Sequence, residues 1–346
     1  MKTSFISTSS ISQTLRYQMM RMQVELADRQ QEATTGRAAD PGVTLGARAG
    51  VSFSMTRDMA RLESLIDANG LASGRLAATQ NSLDQLGGIA QDMLEALTAA
   101  SSGDSEPQVI RASARQALSA MTSILNSNLN GEYLFAGINT DVKPLNDFTD
   151  PASPNKAQFD TLFSTHFGFA QSDPAAANIT GAEMAAFLDD LEASFMGTGW
   201  ADWSEASDQK ITSRITLNET AETSTTANGP GMRKLAMATA ALTDLMQIPL
   251  GDEALQTLYG RTTELVGAAV ADFAHTQSEV GLAQTRVEEA SERISSQIDL
   301  FNTLVTDLEG VDPFEAATKV NDLLTQIETA YALTARIQQL SLLRYL

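Results

Sequence analysis

Val287-Glu-Glu-Ala-Ser291-Glu-Arg-Ile294-Ser-Ser-Gln-Ile298-Asp-Leu-Phe301-Asn-Thr-Leu-Val305-Thr-Asp-Leu308 is the stretch that decides the fold. Val287, Ser291, Ile294, Ile298, Phe301, Val305 and Leu308 follow one another in alternating steps of four and three. That is the a/d seam of a coiled coil with one polar interruption. The same period appears at the other end of the chain as Leu15, Met19, Met22, Leu26, Arg29 and Ala33. Beyond a break it resumes as Val320, Leu323, Ile327, Ala330, Thr334 and Ile337. A helix with one narrow apolar stripe is marginal in water, because nucleation is costly and the stripe stays wet. Both chain ends therefore have to pair with each other or with another molecule, as expected of a protein that polymerises.

Composition narrows the classes. The 346 residues include no cysteine, so disulfides and thiolate metal sites are excluded. Apolar residues make up 43% and charged residues only 19%, which leaves a polar but weakly charged surface. A net charge of −20 argues against nucleic acid as a partner. The charge is uneven: residues 1–61 carry eight basic and five acidic side chains, and residues 139–225 carry four and fourteen. The acidic stretch is thus the part expected to face solvent. No apolar run reaches the ~20 residues of a membrane span. The first residues lack the apolar core and cleavage site of a secretory signal, so the chain either stays in the cytoplasm or leaves without a cleaved signal.

Proline placement divides the chain. None falls between Pro41 and Pro107 or between Pro249 and Pro313, so long helices are permitted there. Met55, Met59, Leu62, Ile66, Leu76, Leu83, Leu86, Met93 and Leu97 form a helical stripe over residues 51–101, a length on the order of 70 Å. Ser105 and Gln108 read as a capping box for a helix reaching about Asn128, with Ile110, Ala114, Ala117, Met121, Ile124 and Leu125 inward. Asp312-Pro313-Phe314-Glu315 reads as a further helix start, and residues 36–50 as a linker. Residues 139–225 hold nine of the fifteen Phe and Trp residues, which implies a separate mixed α/β core. Within it, Ile179 to Phe195 reads as a helix capped by Thr180 and Glu183. Lys210–Leu217 and Thr220–Thr226 read as a hairpin, and Glu132–Ile138 as another strand. The expected fold class is mainly α: a long antiparallel helical coiled-coil rod formed by the N- and C-terminal regions, with an inserted mixed α/β domain. Its divisions fall at 1–50, 51–138, 139–225, 226–286 and 287–346.

Few residues suggest chemistry. His166 and His275 lie far apart and show no metal-ligand spacing, so surface roles are expected. Asp189, Asp190 and Glu192 read as a solvated helical face rather than a cation site. Trp200 and Trp203 suit a core better than a sugar groove. No P-loop, dinucleotide fingerprint or nucleophile elbow is present. The expectation is no enzyme, no catalytic or metal residue and no cofactor. The seams are flanked by uncharged polar residues such as Gln30-Gln31, Ser295-Ser296-Gln297 and Gln338-Gln339, which can pack against neighbours without burying net charge.

Three stretches resemble a known family. They are Ile6-Ser-Thr-Ser with Gln30, Thr35-Gly36-Arg37 and Asp40-Pro41; Asn130-Gly-Glu-Tyr-Leu-Phe-Ala-Gly137; and Val311-Asp312, Ala316-Ala317, Tyr331, Thr334-Ala-Arg336 with Ser341-Leu-Leu-Arg-Tyr-Leu346. In order, over residues 1–140 and about 230–346, they resemble the hook–filament junction proteins of the bacterial flagellum (hook-associated protein 3), relatives of flagellin. Asp40-Pro41 stands where that family often has two acids before the proline, and the middle segment carries no specific match. The resemblance implies a non-enzymatic structural part, secreted unfolded through the flagellar type III apparatus, with an extracellular place on the flagellum. It implies self-association, contact with adjoining hook-associated protein and flagellin layers, an export chaperone, and no nucleic-acid or membrane partner. The assembly interface would then comprise Leu15, Met19, Met22, Leu26, Ile327, Ile337, Leu340, Leu342, Leu343 and Leu346. Gly131, Tyr133, Phe135 and Gly137 would form a structural turn. The competing readings are a flagellin filament subunit, a secreted helical effector or translocator, and an enzyme housed in residues 139–225.

Overall fold

The computed structural model describes residues 8–102 and 106–342, and it is mainly helical. Its helices are α1 (Thr8–Thr35), α2 (Pro41–Leu45), α3 (Ala49–Ser101), α4 (Pro107–Leu125), α5 (Pro154–Phe167), α6 (Gly181–Met196), α7 (Pro230–Leu245), α8 (Asp252–Glu309) and α9 (Pro313–Leu342). Two small antiparallel sheets join them: β1 (Asn128–Leu129) with β2 (Glu132–Tyr133), and β3 (Thr212–Arg214) with β4 (Thr220–Glu222). The chain forms two compact units, one from residues 1–64 and 294–346 and the other from residues 65–293. The two long helices, α3 and α8, contribute to both.

The first unit is a pairing of chain ends. α1 runs along α9 in the antiparallel sense, and Gln23 Nε2 donates to the Tyr331 hydroxyl at 3.0 Å. Asp312 starts α9 as its sequence suggests, accepting from the Phe314 N–H at 2.8 Å with Pro313 in the first turn. Where the end of α8 meets the start of α3, Ser52 Oγ donates to the Glu309 carboxylate.

The second unit is built round α7, whose residues from Leu235 to Leu245 are all buried. α4 and α6 pack on it. α4 turns Ile110, Ala114, Leu118, Met121 and Leu125 inward. α3 and α8 run antiparallel, tied by Asn69 to Ser291 (3.1 Å) and by Gln277 to Asp84 (2.6 Å). Leu76, Leu83, Leu86, Met93 and Leu97 form the buried stripe of α3. Between α4 and α7 the chain builds an aromatic cluster. Phe148 stacks on Trp203 at 5.0 Å, and Phe163 meets Phe187 edge-on at 5.4 Å. The capping box of α6 is complete: Glu183 N–H donates to Thr180 Oγ1, and Thr180 N–H donates back to the Glu183 carboxylate at 2.9 Å. The bonds that the Thr180 N–H and the Thr180 hydroxyl donate to the carboxylate lower the Glu183 carboxyl from its ordinary value.

Local readings need correction in five places. Glu132–Ile138 is a strand only over Glu132–Tyr133; beyond it the chain bridges singly, Ala136 to Thr226, because it is threaded between two loops. The linker at 36–50 is partly helical, since Asp40 caps α2 by accepting from the Val43 N–H at 3.1 Å. α4 starts with Pro107 after Glu106, which makes no side-chain cap; Ser105 lies outside the described residues. α4 also ends at Leu125, where Asn126 leaves the helix to hold Leu145 by both backbone groups. The hairpin is shorter than its threonine-rich stretches: Thr212 pairs with Glu222 and Arg214 with Thr220.

Candidate assembly face, clasp and signature turn

α1 shows one half-buried stripe. Among its described side chains Leu15, Met19, Met22, Leu26, Arg29 and Ala33 are half-buried, Glu32 is buried, and the rest are exposed. On α9 the covered positions are Ala316, Val320, Leu323, Ile327, Ala330 and Thr334. Two helices cover each other along one line only, so the stripe on α1 stays partly wet. A second apolar line on the same helix remains open. Tyr17, Met20 and Val24 are 65%, 66% and 63% exposed, and on α9 Leu324, Tyr331 and Leu333 are exposed as well. Ile337, Leu340 and Leu342 fall in the last turns of α9, and Leu343 and Leu346 lie outside the described residues.

A charged pair closes the far end of the α1 stripe. Arg29 Nη1 donates to Glu32 at 2.6 Å, and this bond raises the arginine further above its ordinary value. The other Glu32 oxygen accepts from the Ala39 N–H at 3.3 Å. Glu32 thereby fixes the chain that leaves α1. That exit is clasped to the α8–α9 turn: Ala38 N–H donates to Glu309 O at 2.8 Å and Val311 N–H to Gly36 O at 2.9 Å. The geometry brings Thr35-Gly36-Arg37 beside Val311-Asp312, two stretches that sequence reasoning had noted separately. The clasp itself was missed. Its signal was a charged residue, Glu32, on the inward face three positions after Arg29.

The signature turn lies in the second unit. Asn130 (φ 56°) and Gly131 (φ 88°) join β1 to β2, the two left-handed residues of a type I′ hairpin turn. Arg75 of α3 holds this hairpin, pairing with Glu132 at 2.6 Å and donating to Tyr133 O at 2.8 Å. Phe135 is fully buried, and its carbonyl accepts from the Ala227 N–H at 2.7 Å. At Gly137 (φ 63°) the chain passes between two others: its N–H donates to Thr225 O, and a Cβ there would meet Ser207 O at 2.4 Å and Gln209 O at 2.5 Å. The turn therefore ties the chain entering residues 139–225 to the chain returning from them.

The remaining candidates resolve into packing. His166 Nδ1 lies 2.7 Å from Asp190, with its ring against Phe167 and Phe187. Asp189 and Glu192 are paired with Arg261 at 3.0 and 2.6 Å. Trp200 and Trp203 are buried, with indole N–H groups donating to Asn228 and Gln158. His275 is exposed. Among the described residues no group of three or more His, Asp or Glu side chains is arranged to hold a metal, and no helix is long and apolar enough to cross a membrane.

These features define a helical protein whose two chain ends form one structural element. Residues 6–140 match the bacterial flagellin N-terminal helical region, and residues 263–346 match the bacterial flagellin C-terminal helical region. The two matches together span more than half of the chain, and the chain belongs to the flagellin-like family, a family of non-enzymatic structural proteins of the extracellular flagellum. A solved protein from Vibrio parahaemolyticus, assigned as a flagellar hook-associated protein, shares the fold with a TM-score of 0.53. The likeness covers 77% of this chain and 99% of that one at 9% identity, so it speaks for fold alone. No curated protein matches the sequence.

Proposed function

We propose that this chain is a structural part of the bacterial flagellum that joins hook to filament by polymerising through its terminal helices. The observation that carries the reading is where apolar surface is left open. Of eighteen exposed large hydrophobic residues among those described, twelve lie in residues 1–64 and 294–346, although that unit holds about a third of the chain. Tyr17, Met20 and Val24 form a line of this open surface on α1. This concentration of uncovered apolar residues in one unit supports an interface there. In this reading Leu15, Met19, Met22, Leu26, Ile327, Ile337, Leu340, Leu342, Leu343 and Leu346 pack against identical neighbours and against adjoining hook-associated and flagellin layers. An export chaperone covers the C-terminal stripe before assembly, and the acidic residues 139–225 face solvent.

The junction is favoured over the filament by Asn130-Gly-Glu-Tyr-Leu-Phe-Ala-Gly137, the stretch that resembles junction proteins rather than flagellins. Deleting the gene separates the two roles. Loss of a junction part leaves hooks that release flagellin without retaining it. Loss of a filament subunit leaves hooks with no flagellin to release, and that result would overturn the junction role. Leu343→Asp is expected to abolish filament retention while the protein still folds and is exported. Normal filaments on Leu343→Asp cells would sink the terminal-helix mechanism.

A further inference from the structure

The chain contains three Asn-Gly pairs, at Asn69-Gly70, Asn130-Gly131 and Asn228-Gly229. This dipeptide is chemically labile because glycine has no Cβ to hinder its own backbone nitrogen from approaching the preceding side chain. The structure treats the three pairs differently. Asn69 is buried within α3, and its amide donates to Ile215 O at 3.0 Å and to Ser291 at 3.1 Å. Asn228 is held on both sides: its Oδ1 accepts from Trp200 and Ser204 at 2.8 and 2.7 Å, and its Nδ2 donates to Ala206 O and Asp208 at 2.9 and 2.7 Å. Asn130 is exposed at the tip of a hairpin of two residue pairs, and its side chain makes no hydrogen bond among the described residues.

We infer that Asn130 is a site of spontaneous deamidation, the one Asn-Gly pair of the three that reacts in the folded protein. The Gly131 nitrogen attacks Asn130 Cγ, a C–N bond forms, and ammonia leaves with the amide nitrogen. Water then opens the cyclic imide at either carbonyl, which gives aspartate or isoaspartate and returns the Gly131 N–H. Attack requires the turn to leave its left-handed conformation, so local opening sets the rate. The consequences fall on the strap that holds the hairpin to α3. Either product adds a negative charge two positions before Glu132, the partner of Arg75. Isoaspartate also lengthens the backbone inside a two-residue turn, where the pairing of Leu129 with Glu132 leaves no slack.

The test is peptide mapping by mass spectrometry of the full-length protein held in mildly alkaline buffer at physiological temperature, with enzymatic methyl labelling of isoaspartate. The Asn130 peptide is expected to convert about tenfold or more faster than the Asn69 and Asn228 peptides, because local opening of a hairpin tip is far easier than that of a buried network. In denaturant all three are expected to convert at similar rates, faster than Asn130 in the folded chain. Asn130→Gln should remove the isoaspartate label from the folded protein. Equal rates at the three sites in the folded protein, or label persisting in Asn130→Gln, would overturn the assignment. This inference stands apart from the flagellar role and holds or fails without it.

Discussion

Gly137 is the residue on which the entry to the middle segment turns. Its φ of 63° lies where a side chain is strained, and a Cβ would press on two carbonyl oxygens of the 207–209 loop. Backbone carbonyls held in a network cannot move aside as a flexible side chain can. Gly137→Ala is expected to destabilise the second unit by about 2–4 kcal/mol, combining left-handed strain with the clash. Trp200 and Trp203 both report on that unit, so the shift is read from the fluorescence midpoint in urea. A second residue sets a pH dependence. Asp244 is buried and accepts from Gln171 at 2.6 Å, from Gln247 at 3.1 Å and from Lys156 at 3.4 Å. Burial nevertheless pushes its carboxyl above the usual carboxylate range. The folded state then binds this proton more tightly than the unfolded state, so the group's contribution to stability grows as pH falls from the raised folded value toward the unfolded one. Above the folded value it is lost. Asp244→Asn removes this contribution, so the urea midpoint of the variant relative to the parent should be most favourable at neutral pH and should decline as the pH is lowered. A difference independent of pH would mean that Asp244 titrates alike in both states.

At the level of the element, legibility followed period. The stripes of α1, the end of α8 and α9 were readable because a seam repeats every three and four residues, and burial in the structure follows the same numbers from Leu15 to Ala33 and from Val320 to Thr334. Caps were readable where one side chain does the work, as with Thr180 and Asp312. The clasp of Gly36 with Val311 and the threading at Gly137 were not, because both are made by backbone atoms of segments distant in sequence; buried Glu32 on α1 is the one side chain that hints at the first, and none announces the second. Tyr133 and Phe135 showed as a motif, but the packing that explains them needed Arg75 and Ala227. The cap of α6 offers a direct measurement. Thr180→Ala leaves the Glu183 N–H without its side-chain acceptor and is expected to cost about 1 kcal/mol. A double-mutant cycle with Glu183→Ala should return a positive coupling, since each side chain serves the other's backbone. Zero coupling would mean that the reciprocal bonds are not maintained in solution. The paired ends make a contrasting case: Met22→Asp places a charge on the half-buried line of α1, and should disable polymerisation while leaving the tryptophan-detected midpoint of residues 65–293 unchanged.

Charge over the whole molecule is distributed as unevenly as apolar surface. Residues 1–64 and 294–346 carry eleven basic and thirteen acidic side chains, a net of −2, whereas residues 65–293 carry twelve and thirty, a net of −18. The unit with open apolar helices is thus nearly neutral, and the other holds almost all of the repulsion. If copies gather through their terminal helices, as proposed, apolar burial draws them together and the acidic units push them apart. The first term is short-ranged and little affected by modest salt; the second reaches across roughly 30 Å at 0.01 M ionic strength and about 8 Å at 0.15 M. Raising ionic strength between those limits should therefore shorten the lag before polymer forms, seen by light scattering of the purified chain with preformed seeds. Lowering the pH toward the isoelectric point of about 4.4 that the composition gives should act in the same direction while the fold persists, because protonated carboxylates no longer repel. Met22→Asp should fail to polymerise at any salt concentration, because screening removes repulsion without restoring the apolar contact. If salt instead lengthens the lag of the parent protein, attractive ion pairs between copies dominate assembly, and the neutral, apolar unit is not what drives it.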